Sequence, residues 1–238
     1  MHNSLIDNLA SVRAEIATAA QRSGRSAADI TLIAVTKTQP AEVLAAAVAA
    51  GVTDIGENYL QEAADKFAAL GWPEYPTTGA PVRRHAIGHI QGNKARLAVR
   101  LFDIIQSVDS AALAARIDRV AGELDRVVPV LLQVNISAEV TKSGFFPADL
   151  AGVLPSLANL SNISIQGLMT IGQFSPDLAV ARADFVAMRE LRDRLLGECP
   201  AGISLGELSM GMSHDFALAI EEGATMVRVG TRLFGPRM

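Results

Sequence analysis

The chain alternates short β-branched runs with longer stretches rich in alanine and leucine, and this alternation restricts its fold more than any other feature. Eight runs have the length and composition of buried strands: Thr31–Thr36, Val52–Gly56, His85–Gly88, Ile104–Val108, Val128–Asn135, Ile163–Met169, Leu205–Ser209 and Met226–Gly230. The predicted helices between them are Pro40–Ala50, Asn58–Leu70, Gln91–Leu101, Ser110–Leu124, Pro147–Leu157, Pro176–Leu196 and Met212–Glu222, and Ser4–Ser23 precedes the first strand. Because parallel neighbours need a helical crossover, this pattern predicts a single α/β (β/α)8 TIM barrel with an extra N-terminal helix. An open doubly wound sheet is the alternative.

The composition is typical of one globular unit and excludes several classes of protein. Half of the 238 residues are hydrophobic and no linker divides them, so we expect one domain over residues 1–238. The net charge of −4 argues against nucleic-acid binding, and the single cysteine, Cys199, suits the cytoplasm. We expect neither a membrane span nor a signal peptide. The stretch Gly71–Arg84, rich in proline and glycine, is predicted to be one surface loop.

The carboxyl ends of barrel strands are the usual place for chemistry, and Lys37 follows the first predicted strand. A charged side chain is poorly placed on the helix-covered side of a strand. We therefore expect Lys37 to point into the barrel mouth, where partial burial favours the neutral amine that attacks aldehydes. The plainer interpretation is a lysine that only extends from a strand end into solvent.

Residues suited to phosphate binding follow the last two predicted strands. Gly230 and Thr231 lie where the final strand turns into a helix, so backbone N–H groups and a hydroxyl can meet there. Ser209, with Gly211 and Ser213 after it, closes the seventh predicted strand. Small and hydroxyl residues are also common in ordinary turns.

Two other polar residues are assigned to the same site. Arg228 stands inside an apolar strand and is expected at the pocket floor, either as a fixed cation or in an ion pair with Glu207. Asn58 follows the second strand, a position that also suits a helix N-cap. His85 and His89 lie on either side of a strand end and no cluster of ligands joins them, so we expect no metal site.

An aldehyde-binding lysine, a phosphate site and an arginine at one barrel mouth suggest pyridoxal 5′-phosphate (PLP) as the cofactor. A Schiff-base aldolase acting on a sugar phosphate is the rival interpretation from residue types alone. Such an aldolase would need acid–base carboxylates or a tyrosine deeper in the strands, and the sequence offers only Glu207.

Several stretches, in order along the chain, carry a family resemblance: AVTKTQPAEV, DIGENYLQEAADK, HAIGHIQGNKAR, LLQVNISAEVTKSGF and LSMGMSHDFALAIEEGATMVRVGTRLFGPR. With these motifs the chain resembles the pyridoxal phosphate homeostasis proteins, which are related to the N-terminal barrel of alanine racemases. The resemblance implies a PLP aldimine at Lys37 and places Arg228 near the pyridine nitrogen. It also implies phosphate contacts from Ser209, Gly230 and Thr231.

The resemblance further implies a cytoplasmic, monomeric protein that binds PLP and other B6 vitamers, keeps PLP available to apo-enzymes and has no strong catalytic activity. An arginine beside the pyridine nitrogen disfavours its protonation and weakens the ring as an electron sink. The sequence ends soon after Thr231, so we expect the domain that gives racemases their second base to be missing, and Tyr59 and Tyr75 are not expected to replace it. A weak racemase-like enzyme is the alternative. Gln39 stands where the family often has a second lysine, whereas Lys142 is retained in its loop.

Overall fold

The structure of the protein, a computed structural model, describes residues 2–75, 82–137, 139, 142–172 and 177–235. Within these residues, eight parallel strands form a closed barrel in sequence order, and the last strand pairs with the first. The strands are β1 (Thr31–Val35), β2 (Asp54–Glu57), β3 (Arg83–Ala86), β4 (Ile104–Val108), β5 (Val128–Val134), β6 (Ile163–Thr170), β7 (Glu207–Met212) and β8 (Met226–Val229). The predicted TIM barrel is confirmed, and the pairing of β8 with β1 excludes an open sheet.

A helix lies in every predicted crossover, although several begin later than the sequence predicts. The helices are α1 (His2–Arg22), α2 (Ala41–Ala49), α3 (Leu60–Ala69), α4 (Ala95–Leu101), α5 (Ala111–Glu123), α6 (Leu150–Leu157), α7 (Leu178–Leu196), α8 (Phe216–Glu221) and α9 (Thr231–Phe234). A 3-10 turn, Gly92–Lys94, precedes α4. The largest difference is at α8, because the residues before Phe216 belong to β7 and a turn. None of the helices in the described residues has the length and hydropathy needed to cross a membrane.

The seventh strand continues beyond its predicted end. The sequence predicts an end at Ser209, whereas β7 runs to Met212 and its register with β8 shifts between those two residues. Gly211 lies inside this segment with a φ of 88°. A Cβ atom there would come within 2.4 Å of the Ala219 side chain, so glycine permits the close packing of α8. As a result, Ser209 is a buried residue in mid-strand.

The predicted loop Gly71–Arg84 is shorter than expected, since β3 already begins at Arg83. The first two residues of the strand are charged. Arg83 is mostly exposed, while Arg84 is buried and contacts Asp103. Residues 76–81 of this loop lie outside the described residues.

The barrel interior contains an apolar group and a polar group. The apolar group is a buried cluster, separate from the main core, formed by Ile33, Leu131, Met169 and Met226. The polar group, which we call the lumen chain, is hydrogen-bonded across the barrel and consists of Asp54, His85, Gln106, Ser209 and Arg228. Since these five side chains come from five different strands, their contacts depend on barrel closure.

Helix α1 lies beside the segment that follows β8. Its apolar side, including Val12 and Ile16, is buried in the main core. The Asn8 side chain donates to the Leu233 carbonyl at 3.0 Å, and Glu15 accepts from Arg232 at 2.7 Å. The extra N-terminal helix predicted from the sequence is therefore present and supports the α9 end of the barrel.

Candidate functional site

A cavity of about 290 Å³ opens at the carboxyl ends of the strands. Five of the predicted site residues line it: Lys37, Asn58, Arg228, Gly230 and Thr231. Apolar walls come from Ile87, Ile171 and Met212 at other strand ends and from Phe234 in α9. The structure thus brings together residues from both ends of the sequence, because β1 and β8 are neighbours.

Contacts on both sides hold the turn that carries Lys37. The Thr36 carbonyl accepts from Lys66 Nζ at 2.6 Å, and the Thr38 N–H donates to Glu62 Oε1 at 2.5 Å. Thr38 has a φ of 63°, in the left-handed region that is strained for a residue with a β-branched side chain. The half-buried Lys37 side chain therefore reaches the cavity from a turn that α3 fixes in place.

A buried ion pair lies behind this turn. Glu57 is fully buried, and its Oε1 accepts from Lys66 Nζ at 2.8 Å and from Thr36 Oγ1 at 2.7 Å. Lys66 Nζ also lies 2.6 Å from Glu62 Oε1. Burial raises the pKa of Glu57 above its ordinary value, although the hydrogen bonds from Lys66 and Thr36 oppose the shift. Glu57 Oε2 is buried and has no hydrogen-bond partner among the described residues.

Arg228 lies at the floor of the cavity and is held from below. Its Nη1 donates to Ser209 Oγ at 2.6 Å, and its Nη2 donates to the Thr170 carbonyl at 2.7 Å. Burial lowers the pKa of Arg228 to about 10, while the charge of Asp215 opposes the shift. The guanidinium therefore stays protonated at neutral pH.

The alternative ion pair between Arg228 and Glu207 is wrong. Glu207 Oε2 instead accepts from Thr225 Oγ1 at 2.5 Å. Within the described residues, Arg228 forms no salt bridge with any carboxylate.

The hydroxyl at the end of β7 that reaches the cavity belongs to Ser213. Its Oγ accepts from the Gly230 N–H at 3.1 Å, which joins the β7 and β8 loops. Ser209, the predicted phosphate contact, is not among the cavity-lining residues; it lies below Arg228 and donates to Gln106 Oε1 at 2.7 Å. Ser209 therefore contacts Arg228 but does not line the cavity with the other predicted site residues, because β7 continues past it to Met212.

Asn58 lines the cavity and does not cap a helix. Helix α3 begins at Leu60, and its N-cap residue is Tyr59. Asn58 Oδ1 is buried without a hydrogen-bond partner among the described residues. A Cβ atom on Gly88 would lie 2.2 Å from the Asn58 carbonyl oxygen, so this glycine permits the close approach that places Asn58.

The other polar residues considered from the sequence lie in several environments. Gln39 lines the cavity, whereas Lys142 is paired with Glu139 in its own loop at 2.8 Å. Tyr59 and Tyr75 are both largely exposed. No group of three or more metal-ligating side chains occurs in the part of the chain that the structure describes.

His214 is a cavity residue that the sequence analysis missed. It directly follows Ser213, and its place in the loop after β7 was the available signal. The sequence analysis did note Ser213, among the residues that follow Ser209.

Comparisons with known proteins agree with this geometry. Residues 8–238 match the family described as "Alanine racemase, N-terminal domain". The chain is 41% identical over 235 residues to the pyridoxal phosphate homeostasis protein of Pseudomonas aeruginosa, covering 99% of this chain and 96% of that protein. It is 40% identical over 240 residues to the protein of the same name from Escherichia coli K12, covering 99% and 97%. The chain belongs to the pyridoxal phosphate homeostasis protein family.

A solved structure similar to this family member is PipY of Synechococcus elongatus PCC7942 with PLP bound. It is 41% identical, has a TM-score of 0.83, and the match covers 97% of this chain and all of that chain. An alanine racemase of Clostridium difficile, at 16% identity and a TM-score of 0.73, shares the fold over 98% of this chain. The predicted relation to the racemase N-terminal barrel is confirmed at the level of the fold.

Proposed function

We propose that the protein binds PLP as an aldimine with Lys37 and takes part in intracellular PLP homeostasis, without strong catalytic activity of its own. The observation that carries this proposal is one cavity lined by a lysine, an arginine and the hydroxyls of Ser213 and Thr231. The names of its relatives and the PLP-bound PipY structure support it.

The cavity residues fit the chemical groups of PLP. Ser213 and Thr231 offer two hydroxyls to a phosphate, and the first N–H groups of α9, the helix that follows Gly230, have no partner within the helix. Asn58 offers a buried amide oxygen, which has no hydrogen-bond partner among the described residues, to a donor on the ring. Arg228 suits the ring nitrogen because a guanidinium can donate but cannot accept.

The covalent step needs only the lysine and the bound aldehyde. The neutral Lys37 amine attacks the aldehyde carbon, a C=N bond forms, and the aldehyde oxygen leaves as water. Hydrolysis reverses the step without a further reactant. Reversibility of this kind suits a protein that holds PLP and releases it to PLP-dependent apo-enzymes.

The test of binding is a titration of the purified protein with PLP, followed by absorbance. We expect a visible imine band that saturates at one PLP per chain. Borohydride reduction and peptide mapping should then place the cofactor on Lys37. A protein that shows no imine band at saturating PLP would contradict the proposal.

A test of the phosphate contacts compares PLP with pyridoxal, which lacks the phosphate. Thr231→Val removes the hydroxyl at nearly constant volume and should weaken PLP binding roughly tenfold, as expected for a hydrogen bond to a charged group. Pyridoxal affinity should stay the same. Thr18→Val, on the exposed side of α1, is the control. Equal losses for both ligands would refute the phosphate role of Thr231.

A weak amino-acid racemase is the second candidate function, and the position of His214 at the cavity favours it. Racemisation needs a second acid–base group besides the lysine, and an imidazole can act in that way near neutral pH. With PLP and L-alanine, we expect no D-alanine beyond that formed by free PLP. D-alanine production that His214→Ala abolishes would establish the enzymatic alternative.

The remaining features complete the proposal. We infer that residues 1–238 act as one domain and that the protein works as a cytoplasmic monomer. Other B6 vitamers that share the ring are further ligands, and those that lack the aldehyde bind without the imine.

A further inference from the structure

The lumen chain connects Arg228 to a carboxylate at the opposite end of the barrel. Ser209 Oγ donates to Gln106 Oε1 at 2.7 Å, and Gln106 Nε2 lies 2.9 Å from His85 Nδ1. His85 Nε2 lies 2.9 Å from Asp54 Oδ1. All of these side chains are at least nine-tenths buried.

The chemistry of the two end groups constrains the direction of the hydrogen bonds in the lumen chain. An arginine can only donate, and an ionised carboxylate can only accept. Burial alone would raise the pKa of Asp54, but hydrogen bonds from His85 and Thr53 and the charge of Arg83, which lies 2.8 Å away, lower it, so this end is a carboxylate. Since Ser209 donates to Gln106 Oε1 and Gln106 Nε2 faces His85 Nδ1, the hydrogen bonds between the two ends run from Arg228 towards Asp54.

This direction determines which atoms donate and which accept at Ser209, Gln106 and His85. Ser209 accepts from Arg228, so its single proton goes to Gln106 Oε1. The Gln106 amide then donates to His85 Nδ1, which must be unprotonated, and the His85 proton resides on Nε2 and is donated to Asp54. With Gln106 Nε2 facing the ring, a proton on His85 Nδ1 would place two donors against each other.

The Asp54 end of the lumen chain is close to solvent. Asp54 and the mostly exposed Arg83 form an ion pair at 2.8 Å, and both line a second cavity of about 440 Å³ on the amino-terminal side of the barrel. Asp54 therefore has its own cation, and the upper cation, Arg228, has no carboxylate in contact among the described residues. An arginine without a contacting carboxylate keeps its charge and spare N–H donors for a ligand.

We propose that Gln106, His85 and Asp54 are positioning residues for the cofactor ring, because through Ser209 they hold the Arg228 guanidinium in place at the cavity floor. This inference rests on the proposed PLP function, since the ring nitrogen is the group that Arg228 would meet. The three residues lie outside the cavity and act only through Arg228.

The main test is a PLP titration of Gln106→Met, which keeps the length of the side chain but removes both hydrogen bonds. We expect PLP affinity to fall roughly tenfold and the absorbance maximum of bound PLP to move. Gln106→Glu keeps the acceptor for Ser209 but removes the donor to His85 Nδ1, so it should recover only the part of the affinity that depends on the Ser209 contact. Met169→Leu, a packing change in the apolar group of the same lumen, is the matched control and should bind like wild type.

A double-variant cycle distinguishes the loss of hydrogen bonds in the lumen chain from a general packing effect. Ser209→Ala alone should weaken binding to a similar degree, and Gln106→Met should add nothing further in that background. Additive losses, or Gln106→Met with the affinity and spectrum of wild type, would overturn the positioning role. The Ser209→Ala protein also provides a milder variant if Gln106→Met does not fold.

A second measurement does not depend on the cofactor. Nitrogen-15 NMR of the ligand-free protein should find His85 as the neutral tautomer protonated at Nε2. The tautomer protonated at Nδ1 would contradict the hydrogen bonds assigned to the lumen chain. If His85 is this tautomer but the wild-type protein does not bind PLP, the proposed function fails. The lumen chain then remains as a structural feature of the barrel.

Discussion

The Lys37→Ala protein is expected to lose the visible imine band completely and to retain no cofactor after borohydride treatment. Lys37 is the one lysine that lines the cavity in the described part of the chain, so no other amine is placed to replace it. The phosphate and ring contacts remain, and PLP should therefore still bind, reversibly and more weakly. Absorbance and mass spectrometry after reduction measure the two effects.

Two further variants make this result specific. Lys37→Arg keeps a positive charge at the cavity but cannot form the imine, so it should behave like Lys37→Ala in the absorbance test. Lys94→Ala, at an exposed position in the 3-10 turn before α4, should keep the full band. A band that persists in Lys37→Ala and maps to another lysine, such as Lys142, would show that the covalent site was assigned wrongly.

Lys66→Met is expected to destabilise the protein by about 3–5 kcal/mol, the usual cost of leaving a buried charge without its partner. The variant removes the cation that Glu57 contacts at 2.8 Å, in a pair whose side chains are 7% and 0% exposed. It also removes the hydrogen bond to the Thr36 carbonyl beside Lys37. Chemical denaturation at neutral pH measures the loss.

The pH dependence of this variant has a definite sign. A carboxyl group whose pKa is raised by folding binds protons more tightly in the folded state, so its contribution to stability falls as the pH rises through the raised pKa. Without Lys66, the pKa of Glu57 should rise further. Lys66→Met should therefore recover stability relative to wild type as the pH is lowered and Glu57 becomes neutral.

Two comparisons control this prediction. Glu57→Gln combined with Lys66→Met removes the buried charge and should restore most of the stability. Lys142→Met removes a pair with the same 2.8 Å separation, but its side chains are 30% and 37% exposed, and the loss should be much smaller than that of Lys66→Met. Equal losses in the Lys66 and Lys142 variants would mean that burial does not govern the pair.

The strand pattern was sufficient to place five of the six predicted site residues at the cavity. β-branched runs mark the strands, the barrel rule makes their carboxyl ends converge, and Lys37, Asn58, Arg228, Gly230 and Thr231 all follow from these two facts. Four of these residues need no exact register, because each stands just beyond a strand end; Arg228 lies inside β8 and was predicted from its charge in an otherwise apolar strand. Their roles toward PLP remain predictions.

The rest depends on geometry that a linear pattern does not contain. The register shift between Ser209 and Met212 moves Ser209 below the cavity and brings Ser213 to it. The pairing of Glu57 with Lys66 depends on how α3 packs against β2. The lumen chain requires the relative heights of five strands, each of which is set by barrel closure.

The position of the cavity beside the β8–β1 pair has a consequence for the synthesis and folding of the chain. Thr31 pairs with Met226, so this contact joins segments separated by almost the whole length of the chain. Closure of such a distant pair comes at a high entropic cost, and it can occur only after the last strand has left the ribosome. A ligand that contacts both Lys37 and Thr231 binds only the closed form and stabilises it by mass action. The supply of vitamin B6 would then influence how much newly made protein completes its barrel.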